Sequence, residues 1–315
     1  MANAPILWMV VPCYNESEVL GETTRRLTEK YNTLTADGKI SPESRVAYVD
    51  DGSKDDTWQK ICAAHEADER FVGIKLSRNR GHQNAVLAGL MTAKQYADCV
   101  VSMDADLQDD INAVDGFLEK FAEGCEIVYG VRSSRATDTA FKRLTAEGFY
   151  KFMNIMGAEV VYNSADYRLM SRRALDALEQ YGERNLFLRG MVTQLGFKTD
   201  KVYYERAERF AGESKYPLKK MLSFAWDGIT SFSVKPLHLI TGTGVALMLA
   251  AFIWLIIALC SAGAGHSGEW NAIMIVMIFL AGLQLLAVGV VGEYIGKIYA
   301  ETKQRPRYII ETILK

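Results

Sequence analysis

The residues best suited to chemistry are acidic and close together: Asp104-Ala105-Asp106, followed by Leu107, Gln108, Asp109 and Asp110. Two carboxylates at i and i+2 on a turn can share one Mg²⁺ or Mn²⁺, hard cations that take oxygen ligands and keep positions open for substrate phosphates. Such a cation neutralises charge that develops as a bond to a phosphate oxygen breaks. An isolated Asp-x-Asp is more often a solvated loop, so its weight depends on its company. Asp50-Asp51-Gly52-Ser53 supplies carboxylates for a base N–H or ribose hydroxyls, and a glycine for a sharp turn. Within it, Asp51 is the expected ligand, while Ser53, with Asp56, reads as the cap of the next helix. Pro12-Cys13-Tyr14-Asn15-Glu16 adds a ring that can stack on a base and a carboxylate that can bind a hydroxyl. The run Arg78–Asn84 and the triplet Gly130-Val131-Arg132 add cations, and an arginine fork suits phosphate oxygens.

Each cluster ends a short apolar run: Ile6–Val11, Val46–Val49, Val72–Leu76, Cys99–Met103 and Ile127–Tyr129. Between these runs, Glu18–Tyr31, Thr57–Ala67, Gln83–Ala93 and Ala113–Phe121 have helical spacing. The alternation predicts an α/β fold, a mostly parallel sheet with helices on both faces. Ligands of such sheets bind outside the carboxyl ends of the strands, so the clusters fall on one edge. Residues 136 to 210 are mixed and charged, with helices expected over Phe141–Met156 and Arg172–Tyr181.

The net charge of −2 gives no footprint for nucleic acid. Five scattered cysteines without a paired spacing point to reduced thiols. The N-terminus lacks the basic start of a signal peptide, so any membrane segment is expected to be internal. Leu237–Cys260 and Ala272–Gly292 contain no Asp, Glu, Lys or Arg, and each is long enough to cross a hydrocarbon core of ~30 Å. Gly212–Val234 interleaves Lys215, Lys219 and Lys220 with aromatic and aliphatic residues, as an interfacial helix would. The linker Ser261–Asn271 has no Lys or Arg, whereas the outer flanks have several. The positive-inside rule then puts both termini and the soluble part in the cytoplasm, with a multi-pass anchor in the inner cell membrane. The run Gly263-Ala264-Gly265-His266-Ser267-Gly268 matches a dinucleotide-binding pattern by letter, but it joins two apolar segments and reads as a turn.

Taken in order, PCYNE, DDGS, SRNRGHQNA, DADLQDD and GVR resemble the family 2 glycosyltransferases of GT-A fold. The runs Asp166–Ser171, Glu183–Phe187 and Ala211–Tyr216, with the two apolar segments, narrow the resemblance to the polyisoprenyl-phosphate glycosyltransferases of the GtrB type, related to dolichol-phosphate mannose synthase. Asp109-Asp110 departs from the family by standing where many relatives have a proline. The resemblance implies a GT-A-type Rossmann-like catalytic domain over 1–211, an interfacial segment over 212–236, a transmembrane hairpin over 237–298 and a cytoplasmic tail over 299–315. It implies inverting transfer of a hexose, glucose from UDP-glucose first, onto undecaprenyl phosphate. UDP-N-acetylglucosamine, an aminoarabinose donor and GDP-mannose are alternatives, as is a non-catalytic scaffold of the same fold. It implies that Pro12, Tyr14, Glu16, Asp50, Asp51, Asp104, Gln108 and Arg132 bind the nucleotide sugar, and that Asp104 and Asp106 hold the metal. Asp166 matches the carboxylate taken as base, although it can equally orient Arg168 or the acceptor; Arg168, Arg206 and Lys215 match phosphate contacts. A homo-oligomer, a tetramer among the options, is also implied. A processive synthase would carry a QxxRW motif, which this chain lacks.

Overall fold

A computed structural model describes residues 4–133, 163–207, 230, 233–261 and 269–315. The expected helix over Phe141–Met156 and the lysines of the interfacial segment, Lys215 among them, lie outside the described residues. The chain forms two units.

The first unit holds one sheet of eight strands and the helices around it. In chain order these are β1 (Leu7–Cys13), α1 (Ser17–Ala36), β2 (Arg45–Asp50), α2 (Thr57–Ala67), β3 (Phe71–Leu76), α3 (His82–Ala93), β4 (Cys99–Ser102) and α4 (Ala113–Ala122). They continue as β5 (Ile127–Arg132), β6 (Ser164–Ser171), α5 (Arg172–Glu179), α6 (Leu188–Gln194), β7 (Thr199–Tyr204) and, after the second unit, β8 (Ile310–Leu314). The strand order is β7-β5-β6-β4-β1-β2-β3-β8. Every residue of β1 is buried, because both sheet faces are covered. Leu7, Met9 and Val11 join a core with Leu27 of α1, Ile61 of α2 and Phe117 of α4. On the opposite face α3 lies so close that a Cβ at Gly89 would stand 2.3 Å from Val10.

The sheet is mixed rather than wholly parallel. β1 pairs in parallel with β2 and β4, and β2 with β3. β6 separates β4 from β5 and is antiparallel to both. A strand that runs backwards enters the sheet on the edge where its parallel neighbours leave it, so the start of β6 arrives beside the end of β4. β8 closes the other edge, antiparallel to β3.

The second unit holds α7 (Lys235–Ser261) and α8 (Glu269–Thr302). Among the described residues one segment, Phe279–Thr302, is long and apolar enough to cross a membrane. Leu239, Ile253, Met277, Leu285 and Val288 are each more than half exposed. Apolar surface this extensive has to be covered by lipid or protein.

Candidate active site

The acidic turn is built by alternation. Ala105 and Leu107 are buried, and the carboxylates between them, Asp104 and Asp106, are partly exposed at the sheet edge. Thr23 of α1 donates to the Ala105 carbonyl at 3.0 Å and ties the turn down. Leu107 has a left-handed backbone (φ 58°), an unfavourable conformation for a branched side chain, and Gln108 N donates to Asp106 Oδ1 at 3.2 Å.

At the end of β2, Asp51 is not the open ligand the sequence suggests. Its carboxylate accepts from the amides of Arg80 (2.6 Å) and Gly81 (2.9 Å), and so braces the loop that follows β3. Gly52 (φ 69°) permits this junction, since a Cβ there would stand 2.6 Å from Asn79 N. Asp50 has the free capacity: Oδ1 accepts from Ser53 N at 3.1 Å, while Oδ2 is buried without a hydrogen-bond partner. Burial raises both carboxyls above the usual aspartate range. Ser53 does not cap α2. The helix starts at Thr57, where Asp55 accepts from the amide at 3.1 Å, and Ser53 Oγ instead accepts from Asn15 N at 3.0 Å. That bond joins the loops after β1 and β2. In the first of these, Pro12 is buried, Glu16 is partly exposed and Tyr14 is 40% exposed.

Asp166, at the start of β6, lies among cations. Arg168 donates to Oδ1 at 2.7 Å, and Arg189 of α6 spans both oxygens at 3.0 and 3.1 Å. His82 Nε2 stands 3.6 Å from Asp166 Oδ2 and 3.5 Å from Asp104 Oδ1, bridging the two carboxylates. Burial opposes charge on Asp166, but Arg189, His82 and Arg168 outweigh it and hold the carboxyl well below the usual range. Burial also opposes the imidazolium of His82, yet Asp166 and Asp104 raise that group to about 9. Arg168 is buried and also donates to the Leu188 carbonyl at 3.4 Å, so it faces the fold rather than the cleft.

On the other flank, Arg206 contacts the Gln108 side chain, and Ala207 N donates to the Gln108 carbonyl at 2.9 Å. Tyr204 donates to buried Asp109, with Arg132 3.5 Å from the same oxygen. Burial and the charge of Asp104 raise Asp109 to about 6. The residue that departs from the family pattern is therefore integrated by Tyr204 and Arg132.

Sequence reasoning gave His82 and Arg189 no individual role. The available signals were a histidine at a glycine-led helix start and a lone arginine inside the apolar run Leu186–Val192.

The Asp104–Asp106 pair fits a divalent cation. Burial and the neighbouring carboxylates Asp166 and Asp106 push Asp104 upward, against His82, so added positive charge would relieve the turn. Among the described residues no three His, Cys, Asp or Glu side chains converge as a cage. The pair is a two-carboxylate platform of the kind that Mg²⁺ or Mn²⁺ shares with phosphates and water.

Comparison with known proteins shows the family. Residues 8–179 match the model for glycosyl transferase family 2, and residues 235–298 match the GtrB C-terminal hairpin. The chain is 52% identical to the glycosyltransferase YkoT of Bacillus subtilis (strain 168), across 98% of this chain and 92% of the relative. It is 39% identical to the prophage bactoprenol glucosyl transferase homolog of Escherichia coli (strain K12), across 98% and 99% of the two chains. Bactoprenol glucosyl transferase of Shigella phage SfV is likewise 39% identical, across 96% and 97%.

Proposed function

Since this chain belongs to glycosyl transferase family 2 and is a transferase with a GT-A-like mixed sheet, we propose that it moves a hexose from a nucleotide donor onto a polyisoprenyl phosphate. Glucose from UDP-glucose is the first choice, because the Escherichia coli and Shigella phage SfV relatives are named as glucosyl transferases. The acceptor is proposed from their bactoprenol names. The observation that carries the reading is the convergence of Asp50, Asp104, Asp106 and Asp166 on one sheet edge, in a chain that continues into a long apolar helix pair.

In this reading Asp50 Oδ2 accepts from the base or ribose, Tyr14 stacks on the base, and Pro12 and Glu16 line the same end. Gln108 lies beside the donor sugar, with Arg132 and Arg206 flanking the diphosphate; Lys215 is assigned to phosphate from the family resemblance. Asp104 and Asp106 would hold Mg²⁺ or Mn²⁺, which when bound neutralises charge on the departing diphosphate. A lipid phosphate oxygen forms its bond to the anomeric carbon as the bond to the nucleotide diphosphate breaks, inverting that carbon. A phosphate monoester, with a second pKa of about 6, is mostly dianionic at neutral pH and needs little help from a base. Asp166, with both oxygens occupied by cations, is proposed to orient its neighbours rather than accept a proton.

Domains are proposed as 1–211 for catalysis, 212–236 at the membrane interface, 237–298 as a hairpin crossing twice, and 299–315 as a tail on the catalytic side. The cytoplasmic face of the inner membrane follows from the lysines and arginines flanking the hairpin. A homo-oligomer is proposed from family resemblance, a tetramer being one option. The test is a panel of nucleotide sugars offered to the purified full chain with Mn²⁺ and undecaprenyl phosphate, read by product mass. A hexosyl-phosphate lipid from UDP-glucose is expected; no lipid product from any donor would reject the acceptor.

A further inference from the structure

One residue of α1 interrupts a largely apolar stripe. Val19, Leu20, Leu27, Tyr31 and Leu34 form the buried face of the helix, and Thr23 sits among them with 0% exposure. A hydroxyl buried there is unfavourable unless it is bonded. The ordinary solution is a bond back to the carbonyl four residues earlier, which Thr28 and Thr33 make at 2.9 and 3.0 Å. Thr23 makes it too, to the Val19 carbonyl at 3.0 Å, and so needs no further partner. Its hydroxyl nonetheless stands at the same 3.0 Å from the Ala105 carbonyl, 82 residues away in sequence.

That carbonyl belongs to the peptide joining Ala105 to Asp106, the unit whose rotation sets how far the Asp106 carboxylate diverges from that of Asp104. Local preference does not hold the turn in shape. Leu107, one residue further on, keeps a left-handed backbone of φ 58°, which persists only where surrounding contacts impose it. Ala105 is 4% exposed, so water has little room to replace a lost donor. A divalent cation shared by two carboxylates needs their oxygens in a defined geometry, and such constellations tolerate displacements of only about 0.5 Å.

We infer that Thr23 is a positioning residue for the metal platform: its hydroxyl fixes the Ala105–Asp106 peptide, and thereby the spacing of the Asp104 and Asp106 carboxylates. Fully buried, it acts through the backbone of the turn rather than on the metal itself. The inference deepens the proposed transfer reaction and rests on the assignment of Mg²⁺ or Mn²⁺ to those two carboxylates.

The test titrates Mn²⁺ into the full chain, alone and with UDP-glucose, reads bound metal by electron paramagnetic resonance, and records Tm beside it. Thr23→Val keeps the volume and removes the donor, Thr23→Ala removes it without crowding the turn, and Thr23→Ser keeps it. Loss of one buried hydrogen bond should raise the Mn²⁺ Kd about fivefold to tenfold in the Val and Ala variants, with Ser within twofold of wild type. Thr28→Val loses only a bond within α1, so it should leave the Kd unchanged whatever it does to Tm. Thr23→Ala decides the matter where Thr23→Val does not fold. A folded Val or Ala variant with a Kd within twofold of wild type would overturn the inference even if its Tm falls, as would a Ser variant that binds Mn²⁺ as weakly as Val. If Asp104→Asn and the wild-type chain bind Mn²⁺ alike, the metal assignment itself fails and the inference falls with it. If UDP-glucose does not tighten Mn²⁺ binding to the wild-type chain, the donor reading fails, and Thr23 is decided by the Kd for the metal alone.

Discussion

Two aspartates 3.5 and 3.6 Å from one imidazole have opposite electrostatic surroundings. Asp104 is disfavoured as an anion by burial and by its acidic neighbours, whereas Asp166 is held ionised by Arg189, His82 and Arg168. Their asparagine variants should therefore separate stability from turnover. Asp104→Asn removes a charge the fold does not favour, so Tm without metal should not fall, yet metal-dependent transfer should be abolished. Asp166→Asn strands buried Arg168, and breaking one side of a buried pair costs about 3–5 kcal/mol. The linkage has a definite sign: a depressed carboxyl contributes stability above its unfolded pKa, and that stability is lost only as pH falls through the lower folded value. The Asp166 contribution should thus persist across the neutral range. Thermal scans from pH 5 to 8 beside a transfer assay check both variants; a stable, inactive Asp166→Asn would restore the base assignment. At this scale the acidic turn was legible in the sequence, because Asp-x-Asp after an apolar strand has a distinctive pattern. The division of work between Asp50 and Asp51 was not legible. It depends on which carboxylate meets the amides of Arg80 and Gly81, a contact between segments 29 and 30 residues apart.

The elements bring distant segments to that edge by simple rules. The parallel strands β1 to β4 and the helices between them followed from the alternation of apolar runs, and α2 lies over Thr57–Ala67 as the spacing predicts. β6 was not legible as a strand, since Asp166, Arg168 and Ser171 interrupt its apolar pattern for reasons that belong to the site and the next helix. β8 was not legible either. Five residues after a long helix carry too little pattern to distinguish an edge strand from a tail. β8 nonetheless backs the loop after β3, which is proposed to flank the donor: it pairs with β3, and Ser77 N donates to the Ile309 carbonyl at 3.0 Å. Arg80 and Gly81, three and four residues further along that loop, are those Asp51 braces. Removing residues 306–315 should lower Tm and raise the UDP-glucose Kd severalfold, because the loop loses its outer support and β3 becomes an open edge. Glu311→Ala should be nearly silent, as its 3.0 Å pair with Lys75 is exposed and worth at most about 1 kcal/mol. Calorimetric titration of the two variants separates the backbone contribution from the side-chain one; an unchanged Kd after truncation would remove β8 from the donor site.

At the scale of the whole molecule, the placement of β8 constrains how the chain meets a membrane. The strands before α7 and the strand after α8 belong to one sheet. A chain whose sheet is closed by residues on both sides of a helix pair has to cross the bilayer an even number of times. The apolar segment Phe279–Thr302 would cross once and leave β8 on the far side from β3. We propose that α7 crosses as well, which would return β8 to the side of β3. The 27 residues of α7 span about 40 Å, more than the ~30 Å hydrocarbon core. A lipid acceptor also favours an enzyme that comes to the bilayer, since each buried CH₂ of an isoprenoid is worth about 0.8 kcal/mol. The expectation is tested with Ser267→Cys between the helices and Lys54→Cys on the sheet unit, both in a Cys62→Ser background. In sealed vesicles a membrane-impermeant maleimide should label one position from outside and the other only after the bilayer is opened. Labelling of both from the same side would leave the helix pair lying on the membrane instead of crossing it.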